Sequence, residues 1–160
     1  MRDVGIGGMM NRFLGGLAIL LACVAQAFAS TSVSCEAADA SVKFSLGGAF
    51  GRTIGSGPGN FGGEIELKLK GIPDYARKLK PEMRHLTQNW FHDRDLKLAV
   101  QWTRDGDDPS VEVILQIETA RKGKAEEAPY RGHYTLTIFD PASDGTPRKA
   151  SGKVTCVASD

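Results

Sequence analysis

Side chains able to do chemistry are sparse in this sequence, and most stand in patterns that do not support it. Cys35 and Cys156 lie near the two ends of one stretch. Neither belongs to a C-x-x-C pair and neither adjoins a histidine, so the surroundings that would activate a thiol are missing. A structural disulfide between them is the expectation. His85, His92 and His133 are the only histidines, and no two sit at a metal-ligand spacing such as H-x-H or H-E-x-x-H. Asp93 and Asp95, and the group Asp105, Asp107 and Asp108, could face calcium from a turn. The D-x-[DN]-x-[DN]-G loop with its distal glutamate is lacking, and they read as solvated turn residues.

The glycine-rich segment 47–63 (GGAFGRTIGSGPGNFGG) invites a phosphate-loop reading, yet it lacks G-x-x-x-x-G-K-[ST], a clean G-x-G-x-x-G and a following helix. Ser56 sits among these glycines without G-x-S-x-G, a poor platform for a nucleophile. No catalytic residue, metal or cofactor is expected. Two surfaces are better suited to contact than to catalysis. Phe50 and Phe61 are expected to be exposed on the glycine-rich loop and to meet a partner there. Arg77, Lys78 and Lys80, with Arg84, adjoin Tyr75, Trp90 and Phe91, a basic and aromatic set that suits a glycan or an acidic partner. The favoured reading of that stretch is a solvated connection with Trp90 in the core.

The elements that would position these residues are strands. Val42, Phe44 and Leu46 alternate with polar neighbours, and so do Ile65, Leu67 and Leu69. The pattern returns at Leu96, Leu98, Val100 and Trp102, at Val111, Val113, Leu115 and Ile117, and at Tyr134, Leu136 and Ile138. A last run carries Ala150, Val154 and Cys156 on one face. A period of two with one polar face marks antiparallel sheet wetted on one side. Asp105-Gly106 and Asp144-Gly145 supply turn signals between such runs, and residues 120–129 form a charged loop. Segment 72–92 is ambiguous: one or two helical turns after Pro73, with Pro81 breaking anything longer, then either a helix with Met83, Leu86 and Trp90 at i, i+3 and i+7 or a strand in which Leu86, Gln88 and Trp90 alternate before a turn at Asp93. The expected fold is all-β, an antiparallel β-sandwich or small barrel of six to seven strands.

Residues 1–29 read as a secretory signal peptide: Arg2 and Arg12, the short apolar run Phe13 to Val24, then Ala27-Phe28-Ala29 as a cleavage site. Residues 30–160 would form a single β-rich domain. Leu20-Leu21-Ala22-Cys23 also resembles a lipobox, and acylation of Cys23 is the minority alternative, one that would anchor the domain to a membrane. Losing the leader removes two of 20 cations and one of 19 anions, leaving 18 of each. That balance excludes a nucleic-acid footprint, and no second long apolar run offers a transmembrane segment. The expectation is a non-enzymatic binding module, periplasmic or secreted, whose partner is a protein, such as an envelope enzyme it inhibits, or an envelope glycan. A structural or assembly protein of the envelope is the alternative, and a small hydrolase the third reading.

Overall fold

The alternating runs become strands because each can bury one face while wetting the other. The computed structural model describes residues 30–51, 58–104, 111–122, 128–142 and 144–159. Residues 1–29, expected to be a signal peptide, with Cys23, as well as Ser56 and Asp105-Gly106, lie outside the described residues. The described residues form nine strands: β1 (Ser30–Ala38), β2 (Val42–Gly51), β3 (Pro58–Leu67), β4 (Lys78–Leu79), β5 (Leu86–His92), β6 (Asp95–Thr103), β7 (Glu112–Arg121), β8 (Tyr130–Phe139) and β9 (Arg148–Ser159). One short helix, α1 (Asp74–Arg77), precedes β4, and a single 3₁₀ turn (Met83–His85) precedes β5.

All nine strands join one antiparallel sheet in the order β4-β3-β2-β1-β9-β8-β7-β6-β5. Every neighbouring pair is consecutive in sequence except β1 and β9, which meet from Ser32↔Ser159 to Glu36↔Thr155. The sheet cannot be flat. Its edge strands β4 and β5 are separated in the sheet by eight strand spacings, about 38 Å. In the chain, only seven residue steps lie between Leu79 and Leu86, a reach of about 24 Å. The sheet therefore curls into a half-barrel, with the 3₁₀ turn touching both β3 and β6 across the seam. Tyr75, on α1, carries the Arg104 guanidinium 4.8 Å from its ring centroid and ties the same two edges together.

Two expectations are corrected here. Nine strands replace the six or seven read from the sequence, and a single curled sheet replaces two packed sheets or a closed barrel. The extra strands are those whose alternation is hidden, β1, rich in serine and alanine, and the two-residue β4, while β2 and β3 extend further than read, through their glycine-bearing ends. The apolar face of each strand points inward. Phe44, Leu46, Leu96, Leu115, Tyr134 and Leu136 are each no more than 3% exposed, so side chains fill the concavity as they do in small barrels.

The two halves of the sheet meet at β1 and β9, and two devices fasten that junction. Cys35 and Cys156 are direct cross-strand partners, bonded to each other, with Cα atoms 4.0 Å apart. The Tyr134 hydroxyl, from β8, donates a 2.6 Å hydrogen bond to the Asp39 carboxylate in the β1–β2 turn. Asp39 also accepts from the backbone N–H groups of Ser41 and Val42, fixing that turn. The pair can meet only because Gly152 lies between them: a Cβ there would collide with the Asp39 carboxylate and come within 2.7 Å of the Tyr134 ring.

Candidate functional site

A β-bulge creates the feature that stands out on the surface. Leu86 pairs with Val100, but Gln88 pairs with the very next residue back, Ala99, so Thr87 is the extra residue. The Thr87 hydroxyl donates to the Ala99 carbonyl at 3.1 Å and pins the bulge. Its effect is to reverse the facing of everything beyond it. Leu86 points inward, whereas Gln88 and Trp90 fall on the outer face and Phe91 turns in against Tyr130, ring centroids 5.9 Å apart. Trp90 is consequently 49% exposed, not a core residue. Its indole meets the His92 ring edge-on at 5.9 Å.

Trp90 borders a shallow groove of about 480 Å³ across the outer face of β5, β6 and β7. The outward side chains that line it are Gln88, Lys97, Gln116 and Glu118, beside Thr87 and the small Ala99. An open indole face beside two amides, a carboxylate and an ammonium offers apolar stacking together with donors and acceptors in one plane. Register carries the row further: Trp90 pairs with Lys97, Lys97 with Glu118, Glu118 with His133, and His133 with Lys153. All five residues are exposed.

The residues singled out from the sequence fall in three places. Phe50 and Phe61 are buried, at 1% and 7% exposure, on the inward faces of β2 and β3, which corrects the expectation of exposed rings on a loop. What was read as a long glycine-rich loop is largely two strands, paired Ala49↔Asn60 and Gly48↔Phe61. Arg77, Lys78 and Lys80 lie at the β4 side of the seam: Arg77 is ion-paired with Asp74 at 2.9 Å, and Lys78 and Lys80 are exposed. They do not belong to the groove beside Trp90. Cys35 and Cys156 are bonded and fully buried.

The histidines are distributed rather than gathered. His85 is buried, and its Nδ1 accepts the Glu82 backbone N–H at 2.9 Å to close the 3₁₀ turn. His92 packs on Trp90, and His133 lies in the outer row. Among the described residues, no group of three His, Cys, Asp or Glu side chains converges on a metal position, and no helix is long and apolar enough to cross a membrane. The strongest electrostatic perturbation belongs to the structural pair. The Tyr134 hydrogen bond, with help from the two backbone donors and Lys68, holds the Asp39 carboxyl below the ordinary aspartate range. Burial, and then Asp39 itself, push the Tyr134 phenol well above its ordinary value.

Sequence reasoning missed the row of Lys97, Glu118, His133 and Lys153. Each was visible as a polar residue on a wet strand face, but only strand register aligns them. The bulge at Thr87 left no sequence signal beyond a polar threonine within the run. No family model matches the chain, and no curated protein matches it. Among solved structures, a chain described as the crystal structure of a rhizavidin–biotin complex aligns with a TM-score of 0.39 at 10% identity, over 85% of this chain and 97% of that one. A likeness of that degree assigns neither a family nor a ligand.

Proposed function

We propose that the chain is an exported, non-enzymatic binding module that holds an envelope glycan on the outer face of β5, β6 and β7. The observation that carries this reading is Trp90, a large indole left half exposed at the border of a groove lined by amides and charged side chains. Exposing that ring to water forgoes about 2 kcal/mol of burial, and a bulge holds it out when ordinary alternation would not. Sugars match such a surface: their C–H faces stack on an indole, and their hydroxyls exchange hydrogen bonds with Gln88, Gln116 and Glu118. The inside of the half-barrel is packed with side chains, so the ligand belongs on the outside. A buried cross-strand disulfide is compatible with maturation in an oxidising, periplasmic or extracellular compartment.

The chain contains two tryptophans, Trp90 and Trp102. In a Trp102→Phe background, Trp90 is the sole indole reporter. Titration with soluble peptidoglycan fragments and with neutral and acidic oligosaccharides should shift its emission saturably for at least one of them. Calorimetry with that sugar should show at least tenfold weaker binding to Trp90→Ala, the equivalent of about 1.4 kcal/mol. Equal affinity of the wild type and Trp90→Ala, or no binding across the panel, refutes the proposal.

A further inference from the structure

We infer that the ligand is a linear anionic polysaccharide laid across the strands, with at least four sugars in contact. This rests on the glycan reading above and adds direction, length and charge to it. The direction comes from register. Trp90, Lys97, Glu118, His133 and Lys153 occupy one row through five adjacent strands. Successive backbone positions in such a row are about 4.8 Å apart, and Trp90 to Lys153 spans about 19 Å measured along the curved sheet. A pyranose unit advances a linear chain by close to one strand spacing. A chain stacked on Trp90 at one end therefore presents roughly one sugar to each strand and reaches Lys153 with its fourth or fifth unit.

The charge comes from the same face. Lys97 and Lys153 stand in the row, and the next outward row holds both Asp95 on β6 and Arg131 on β8, each paired with Ala120. Glu118 is the only anion in the row. The excess stands on β8 and β9, whose outward positions carry Arg131, Lys149 and Lys153 and no aspartate or glutamate, whereas the chain as a whole is nearly neutral, with 20 cations and 19 anions. The neighbouring row, Gln88, Ala99, Gln116, Thr135 and Ser151, carries no charge and offers hydrogen-bonding groups alongside small side chains. Carboxylated sugars complement that arrangement: carboxylates meet Lys97, Arg131 and Lys153, and hydroxyls meet the uncharged row.

The test uses the folded domain, with its disulfide intact, and three defined probes: a pentameric oligogalacturonate, a dimeric oligogalacturonate and uncharged cellopentaose. The anionic pentamer should bind about tenfold more tightly than cellopentaose at low salt, the increment that several exposed charge pairs supply together. That advantage should fade as ionic strength rises to 0.5 M. Lys153→Gln should weaken the pentamer about threefold and leave the dimer unchanged, because the dimer does not reach β9. Lys97→Gln should weaken both. Equal affinity for the anionic and uncharged pentamers, or equal effects of Lys153→Gln on pentamer and dimer, overturns this inference and leaves the glycan reading standing. If none of the three probes binds while another sugar does so through Trp90, charge and direction are wrong and the site is right. If no sugar binds, both fall.

Discussion

Replacing Cys35 and Cys156 together by alanine opens a covalent loop that encloses 121 residue positions, nearly the whole domain. Closing a loop of that size removes about 16 cal/mol/K of entropy from the unfolded chain, or about 5 kcal/mol at room temperature. A domain of this size changes its melting temperature by about 3–4 °C for each kcal/mol, so the variant should melt about 15 °C lower, and the wild type in reductant should do the same. Because the loop spans all nine strands, the loss should be global. Hydrogen exchange governed by complete unfolding should accelerate equally in β3 and β7, strands far from the bond as well as near it. Thermal melts followed by circular dichroism give the magnitude, and exchange measured by mass spectrometry gives its distribution. A shift below about 3 °C would show that the bond does not act through the unfolded chain. A loss of protection confined to β1 and β9 would show a local clamp instead.

Four further outcomes follow from the packing. Tyr134→Phe removes a hydrogen bond to an ionised carboxylate and should cost about 1–2 kcal/mol in urea denaturation. The same pair sets a pH dependence. Asp39 titrates below its ordinary range in the folded state, so its contribution is present above about pH 4 and is lost as pH falls further. Tyr134 keeps its proton in the fold after the unfolded chain has lost it, so stability falls as pH rises above about 10. Urea melts across pH should show both arms in the wild type and smaller ones in Tyr134→Phe; identical profiles would contradict the assignment. Gly132→Ala places a Cβ against the Glu118 carbonyl and 2.8 Å from the Thr119 Cα, backbone that cannot step aside, and should destabilise by about 2–3 kcal/mol. A loss under about 0.5 kcal/mol would show that β7 and β8 can separate freely. Leu136→Ala, fully buried on β8, should cost about 3 kcal/mol, and a neutral result would mean the concavity is not packed as described.

The strands with clean alternation were readable because a half-buried sheet imposes that pattern on its sequence. Leu96 to Trp102 and Val111 to Ile117 announce both their type and their inward face, and the pairing of Cys35 with Cys156 followed from their number and setting. What stayed hidden had a physical cause in each case. In segment 47–63 glycine supplies no side chain from which to read a face, so strand passed for loop, and Phe50 and Phe61 were assigned to solvent instead of the core. In β5 the alternation of Leu86, Gln88 and Trp90 was real as a pattern but not as a face. The bulge at Thr87 inserts half a period, and the indole follows the shift outward. The outer row could not be read from one strand at a time, because its members come from five strands and are brought into line only by pairing.

The meeting of β1 and β9 allows the chain to be rewired. There the strands run antiparallel, with Ser32 beside Ser159, so the two ends of the described fold are neighbours in space. A short hairpin joining them, with new ends opened between Leu79 and Leu86, would produce the order β5-β6-β7-β8-β9-β1-β2-β3-β4. In that circular permutant every strand would pair with its successor in sequence. In its strand pairing the described fold is thus a simple meander with one pairing between strands distant in sequence, and that pairing is the step with the greatest loop-closure entropy to overcome during folding. The permuted chain should fold faster than the natural one with its disulfide reduced, because its slowest pairing has become a local hairpin.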